Sequence, residues 1–257
     1  MAGIVLELEY DGGPFAGWQR QAGPVTVQGT LEVALAAIDP GAGVIAAAGR
    51  TDAGVHASGQ VVLCDLAKPL APARLAAALN AHLRPAPVAV LRAAPAPEGF
   101  HPRFSAIERR YLYRILNRRA PAVLTRGRVW QLGRALDVDA MRAGAGHLIG
   151  RHDFTTFRAA ECQADSPLRT LDGITIEAVA VPGGQEIRLS FRARSYLHRQ
   201  VRSIVGTLER VGAGAWAPDD VARALAARNR AACGPVAPAA GLCLSGVGYS
   251  ADPFAEE

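Results

Sequence analysis

The chain has 257 residues, half of them hydrophobic, and a formal net charge of +5 at neutral pH. A chain of this length can bury one full core, or two smaller cores that share an interface. It contains no apolar stretch of about 18 residues and no signal-peptide pattern, so we expect a soluble, cytoplasmic protein without a membrane span.

Cysteine spacing and glycine motifs exclude several kinds of site. The four cysteines are Cys64, Cys162, Cys233 and Cys243. None forms a CxxC pair and no histidine cluster accompanies them at zinc spacing, so we expect free thiols and no metal site. The chain also lacks a P-loop and a dinucleotide-binding fingerprint, which argues against ATP and NAD.

The basic residues are almost all arginine and are unevenly distributed, with Lys68 as the sole lysine. Nine arginines and one acid, Glu108, lie between Arg103 and Arg134. A second basic cluster contains Arg188, Arg192, Arg194, Arg199 and Arg202. Positive charge with interspersed aromatic residues is typical of an RNA-binding surface, and it also fits a solvated sheet edge.

Periodicity predicts alternating strands and helices in the first half of the chain. The predicted elements are a strand over Ile4–Tyr10, a helix capped by Thr26 and ending at Ile38, strands over 44–48 and 60–63, a helix over 73–83 and a strand over 88–91. The Pro/Ala-rich stretch from Ala93 to Glu98 is the best candidate for a domain boundary.

The second half repeats this alternation. The predicted elements are a strand over 110–116, a helix over 137–149 with Met141, Leu148 and Ile149 inward, an antiparallel pair over 170–181 and 186–193, helices over 197–208 and 219–227, and a strand over 242–249. We therefore expect an α+β fold of two similar subdomains, 1–98 and 99–257, with mixed or antiparallel sheets flanked by helices.

A segment punctuated by glycines holds the strongest catalytic candidate. It reads Gly49-Arg50-Thr51-Asp52-Ala53-Gly54-Val55-His56-Ala57-Ser58 and lies between two apolar runs. Glycine permits unusual backbone conformations and lets a ligand approach the main chain. A carboxylate on a tight loop between two anchored strands suits catalysis, and Asp52 also fits the simpler interpretation of a turn-forming residue.

The predicted helix after Arg194 offers a second candidate group. Its apolar residues fall on one stripe, while His198, Arg202 and, less closely, Arg199 fall on the opposite face. Arg202 suits pairing with a carboxylate in a cleft. By spacing alone it fits a surface arginine equally well.

Six motifs follow one another along the chain. They are Glu9-Tyr10-Asp11-Gly12 with Gly17-Trp18-Gln19-Arg20-Gln21 and Val27-Gln28; Gly49 to His56 with Gly59-Gln60-Val61; Phe100-His101-Pro102-Arg103-Phe104-Ser105-Ala106; Arg110-Tyr111-Leu112-Tyr113; Asp153-Phe154-Thr155-Thr156-Phe157; and Tyr196-Leu197-His198-Arg199-Gln200-Val201-Arg202 with Val205-Gly206. In this order they resemble the bacterial tRNA pseudouridine synthase A (TruA) family over essentially the whole chain.

The resemblance implies an isomerase, an intramolecular transferase that converts uridine to pseudouridine at positions 38, 39 and 40 of the tRNA anticodon stem-loop. It implies a reaction without metal or organic cofactor. The N-glycosidic bond breaks, the uracil turns over, and its C5 is joined to C1′ of the same ribose. The family's active-site cleft lies between two subdomains, the first carrying the catalytic aspartate and the second the stacking tyrosine and an arginine.

Residue roles follow position by position from the resemblance. Asp52 matches the catalytic aspartate, which either attacks C1′ or removes the C2′ proton to give a glycal. Arg50 matches the arginine associated with flipping the target nucleotide. Tyr111 matches the tyrosine that stacks on the uracil, and Arg202 matches the arginine that pairs with the catalytic carboxylate. His56 matches the active-site loop, with a catalytic or a loop-stabilising role left open.

The resemblance also implies contacts with tRNA and between subunits. The residues in matching tRNA-contact segments are Phe100, His101, Arg103, Phe104, Glu161, Cys162 and Gln163. The family is homodimeric with RNA lying across both subunits, so we expect a homodimer that binds tRNA.

Two other function classes, a non-catalytic RNA-binding protein and a cofactor-free hydrolase, fit the sequence less well. A non-catalytic RNA-binding member of the family is disfavoured by the presence of Asp52, Arg50, Tyr111 and Arg202 together. A cofactor-free hydrolase using Asp52 with His56 would require a nucleophile or metal motif that the sequence lacks, and it would leave the arginine clusters unexplained.

Overall fold

The computed structural model describes residues 2–255 and divides into two compact units. One unit contains the residues up to Arg109 and those from Cys243 onward, and the other contains Arg110–Leu242. The boundary predicted between residues 98 and 99 assigned the C-terminus to the second subdomain. The two divisions differ there because Cys243 and Leu244 pair with a strand of the first unit.

Eleven strands and five α-helices are found within the described residues. In chain order they are β1 (Ala2–Tyr10), α1 (Val27–Ile38), β2 (Ala46–Ala47), β3 (His56–Leu66), α2 (Pro72–His82), β4 (Val88–Pro95), β5 (Ala106–Arg118), β6 (Trp130–Leu132), α3 (Val138–Gly146), β7 (Gly150–Asp153), β8 (Leu168–Leu171), β9 (Gly173–Val181), β10 (Gly184–Ala193), α4 (Gln200–Gly212), α5 (Pro218–Ala227) and β11 (Leu242–Tyr249).

In the first unit a mixed sheet has the strand order β4-β1-β3-β11, with β2 paired to β3. β1 is antiparallel to both β3 and β4, whereas β11 runs parallel to β3. The α1 helix begins as predicted, because the Thr26 side chain accepts a hydrogen bond from the Gly29 N–H. Its residues Val27, Leu31 and Leu35 are buried.

In the second unit β5, β10 and β9 follow one another in that order, and β6 runs parallel to β5. β9 and β10 form the predicted antiparallel pair, with Gly183 at a positive φ of 78° in the turn. β7 and β8 form a separate two-stranded sheet. Helices α3, α4 and α5 pack together around side chains such as Met141 and Leu208. The α+β fold class with mixed sheets is therefore confirmed.

Several local predictions were wrong. The run from Val44 to Ala48 forms only the two-residue strand β2, and Val44 is 82% exposed. Ile149 is 40% exposed because α3 ends at Gly146, so the helical spacing no longer turns this side chain inward. The short strands β6, β7 and β8 carry too few residues for their alternation to be recognised.

The start of α4 also differs from the prediction. Arg199 adopts a left-handed conformation with φ 59°, and the helix begins only at Gln200. His198 therefore lies before the helix and does not share a helical face with Arg202. None of the helices within residues 2–255 has the length and apolar character needed to cross a lipid bilayer.

Candidate active site

The loop of residues 48–55, here called the Asp52 loop, connects β2 to β3. Ala46 pairs with Leu63 and Ala47 with Val62, so the two strands bring the ends of the loop into one sheet. Ala48 is buried and its N–H donates to the Val61 carbonyl. The loop is thus attached to the centre of the first unit on both sides.

Burial alternates at the centre of this loop. Arg50 is exposed, Thr51 is only 6% exposed and Asp52 is half-buried. The Thr51 side chain is therefore packed in the core, while its two neighbours are more accessible to solvent. The charged pair predicted to act on substrate therefore flanks a residue that belongs to the core.

A second loop, residues 11–18, holds the backbone of the Asp52 loop. The Trp18 N–H donates to the Thr51 carbonyl at 3.0 Å, and the Gly54 N–H donates to the Phe15 carbonyl at 3.3 Å. Glycine is required where the loops touch, because a Cβ on Gly12 would collide with the Val55 carbonyl. The motif beginning at Glu9 thus contributes a backbone support for the segment that carries Asp52.

His56 is engaged with the same supporting loop. It is the first residue of β3 and is buried. Its Nδ1 accepts a hydrogen bond from the Gly12 N–H at 3.1 Å and lies 3.1 Å from Asp11 Oδ1. This contact favours the loop-stabilising interpretation of His56 over a catalytic one.

Arg109 ties the Asp52 loop to the predicted RNA-contact segment 100–104. Its buried guanidinium donates through Nε and Nη2 to the Ala48 carbonyl at 3.2 and 2.7 Å. The same Nη2 donates to the Arg103 carbonyl at 2.7 Å. Tyr249 adds a hydrogen bond from its hydroxyl to the Pro102 carbonyl. Sequence reasoning missed Arg109, because its partners lie 6 and 61 residues away.

The side chains of this segment point in different directions. Phe100 packs against the buried cluster of Val5, Ala48 and Val61. Phe104 is 71% exposed and stacks on His101, with 4.4 Å between the ring centroids. The Arg103 guanidinium lies 5.7 Å from the centre of the Phe104 ring. Arg103 and Phe104 are thus exposed and, together with the half-buried His101, form an aromatic and cationic surface.

Tyr111 lies on β5 in the second unit. It is half-buried and contacts the edge of Tyr196, with ring centroids 5.2 Å apart and an interplanar angle of 89°. Tyr113, two residues further along the strand, is fully buried and donates to the Pro238 carbonyl at 2.8 Å. The strand anchored by Tyr113 therefore fixes the backbone that carries Tyr111.

Arg202 lies in the first turn of α4 and is half-buried. Its Nε donates to the Ala237 carbonyl at 2.8 Å, while its own carbonyl accepts from the Ala237 N–H at 3.0 Å. A Cβ on Gly206 would collide with the Pro235 carbonyl, so glycine lets this segment approach the helix. These contacts restrict the orientation of the Arg202 side chain.

The remaining predicted contact residues, Glu161, Cys162 and Gln163, follow a short 3₁₀ helix over Thr155–Phe157. Glu161 and Gln163 are exposed, and Glu161 Oε1 lies 3.1 Å from Arg199 Nη1. A backbone hydrogen bond and the Arg199 charge lower the pKa of Glu161. This turn and the left-handed residue before α4 are therefore joined within the second unit.

The chain is similar to known proteins over its whole length. A family model described as "tRNA pseudouridine synthase" matches residues 8–105 and 145–250. A protein named "tRNA pseudouridine synthase A" from Cereibacter sphaeroides is 66% identical over 255 residues, covering 99% of this chain and all of that protein. Proteins of the same name from Paracoccus denitrificans and a Ruegeria strain are 62% and 58% identical, each covering all of this chain and 99% of its own length.

A solved structure from Galdieria sulphuraria, titled as an unknown protein, covers 82% of this chain at 14% identity. Its TM-score of 0.23 is too low to support an argument. The family match includes the Asp52 loop, its supporting loop and the helix that carries Arg202. The chain belongs to the tRNA pseudouridine synthase family.

Proposed function

We propose that this protein isomerises uridine to pseudouridine at positions 38, 39 and 40 of the tRNA anticodon stem-loop. The observation that carries the proposal is the Asp52 loop, which holds a half-buried carboxylate beside an exposed arginine on a backbone anchored to the core. Membership of the tRNA pseudouridine synthase family supports the reaction class and the tRNA substrate.

The reaction balances without oxidation or reduction. The bond between N1 and C1′ breaks, a bond between C5 and C1′ forms, the proton on C5 is lost, and N1 gains a proton. Asp52 serves either as the nucleophile that attacks C1′ or as the base that removes the C2′ proton. Both routes need a carboxylate held close to the ribose, because misplacement of a reacting group is costly.

We assign three further residues to this reaction from their family positions. Arg50, exposed beside Asp52, fills the stack that the target nucleotide leaves, which offsets part of an unstacking cost of a few kcal/mol. Tyr111 stacks on the target uracil. Arg202 pairs with the catalytic carboxylate and thereby orients it.

The tRNA contacts are assigned to the segments around Phe104 and Glu161. The stacked rings of His101 and Phe104, with Arg103 beside them, match the aromatic and cationic chemistry that binds nucleobases and phosphates. Glu161, Cys162 and Gln163 form the second contact segment. We place the protein in the cytoplasm, where its tRNA substrate is found.

Replacing the catalytic carboxylate provides the direct test of the proposed function. With tRNA labelled with tritium at uridine C5, the purified protein should release tritium, and Asp52→Ala should release it about 10³-fold more slowly. The variant should bind tRNA as the wild type does, because the phosphate contacts remain. Release by Asp52→Ala at the wild-type rate would contradict the proposal. Binding without release by the wild type on several anticodon stem-loops would instead indicate a non-catalytic RNA-binding protein.

Removing the exposed ring at the RNA-contact segment tests that assignment. We expect Phe104→Ala to weaken tRNA binding by about 1–3 kcal/mol, the usual contribution of one stacked base. Filter binding or fluorescence anisotropy at fixed salt measures the change. Val33→Ala is a matched control, since Val33 is a 74% exposed apolar side chain of the same unit. Equal affinities of Phe104→Ala and the wild type would remove Phe104 from the interface.

The proposed homodimer makes a separate prediction about solution mass. Light scattering on the purified chain should give about twice the 26.9 kDa of one chain. The mass should stay unchanged in Asp52→Ala, because that substitution alters the chemistry alone. A mass equal to that of one chain at micromolar concentration would rule out a stable dimer.

A further inference from the structure

Thr51 lies between the two charged residues of the Asp52 loop and is the member of the three that points into the core. We propose that Tyr10 and Thr51 are positioning residues for catalysis, whose hydroxyl–hydroxyl hydrogen bond restrains the backbone that carries Arg50 and Asp52. The inference rests on the proposed function, because these residues act through Asp52.

The hydrogen bond joins two elements that are distant in sequence. Tyr10 is the last residue of β1, and its hydroxyl oxygen lies 2.9 Å from Thr51 Oγ1. Gln60 Nε2, from β3, donates to the Tyr10 hydroxyl oxygen at 3.4 Å. The Tyr10 hydroxyl thus joins Thr51 of the loop to Gln60 of β3. Two strands of the sheet therefore support one side chain of the loop.

The hydrogen bond between Tyr10 and Thr51 is buried, which makes it costly to break. Tyr10, Thr51 and Gln60 are all buried. Burial raises the pKa of the Tyr10 phenol, so the hydroxyl keeps its proton at neutral pH. A buried hydroxyl that loses its partner costs more than one that can turn to water. Movement of the Thr51 side chain out of this site is therefore opposed.

The loop backbone is held on both sides of Arg50. Gln60 Nε2 also donates to the Gly49 carbonyl at 2.7 Å, and the Trp18 N–H donates to the Thr51 carbonyl at 3.0 Å. The Asp52 carbonyl accepts from the Val55 N–H at 3.1 Å. The Tyr10–Thr51 hydrogen bond adds a side-chain anchor between these backbone contacts and so restrains the backbone that carries Arg50 and Asp52.

The variants Tyr10→Phe and Thr51→Val each remove one hydroxyl and keep the shape of the side chain. We expect each to lower the single-turnover rate of tritium release about tenfold, with unchanged tRNA affinity. Because both remove the same hydrogen bond, the double variant should be no slower than either single one. Thr51→Ser keeps the hydroxyl and should restore most of the rate.

Thr207→Val is the matched control for stability. Thr207 is a fully buried threonine of the second unit whose hydroxyl donates to the Ser203 carbonyl and accepts from the Gly234 N–H. It should lower Tm as Thr51→Val does, without slowing tritium release. Wild-type rates for Tyr10→Phe and Thr51→Val, multiplicative losses in the double variant, or equal losses for Thr51→Ser and Thr51→Val would each overturn the inference. An inactive wild type would instead refute the proposed function.

Discussion

One buried side chain, Thr51, anchors the centre of the Asp52 loop to the core of the first unit. Its hydroxyl is hydrogen-bonded to that of Tyr10, and its neighbours Arg50 and Asp52 are more accessible to solvent. A catalytic carboxylate needs this kind of constraint, because a shift of about 1 Å can cost roughly 10²-fold in rate. Contacts with the buried core therefore hold the Asp52 loop in position.

Residues of the neighbouring sequence motifs also hold the Asp52 loop in place. Gly12 and Gly17 let the supporting loop approach the Asp52 loop closely enough for backbone hydrogen bonds to form. The buried guanidinium of Arg109 donates hydrogen bonds both to the start of the Asp52 loop and to the segment that carries Phe104. Residues that are assigned to chemistry and to RNA contact in the first unit are therefore parts of one hydrogen-bonded framework.

Local signals in the sequence predicted the elements that depend on local physics. The Thr26 cap and the β9–β10 pair were predicted because a capping hydroxyl and a glycine turn act over a few residues. The family resemblance identified Asp52 and its proposed partners. The Arg109–Ala48 and Tyr10–Thr51 contacts were not predictable, since they join residues 61 and 41 positions apart. The left-handed Arg199 was missed for a different reason: helical spacing alone does not reveal where a helix starts.

If the fold sets the position of the Asp52 carboxylate, a change in that position should slow the reaction. The variant Asp52→Glu tests this most directly. Glutamate keeps the charge but carries the carboxylate farther from the backbone by one methylene. We expect a single-turnover rate of tritium release about 10²-fold below the wild-type rate, with tRNA affinity unchanged. A rate close to that of the wild type would show that the negative charge alone is sufficient and that the position of the carboxylate does not limit the reaction.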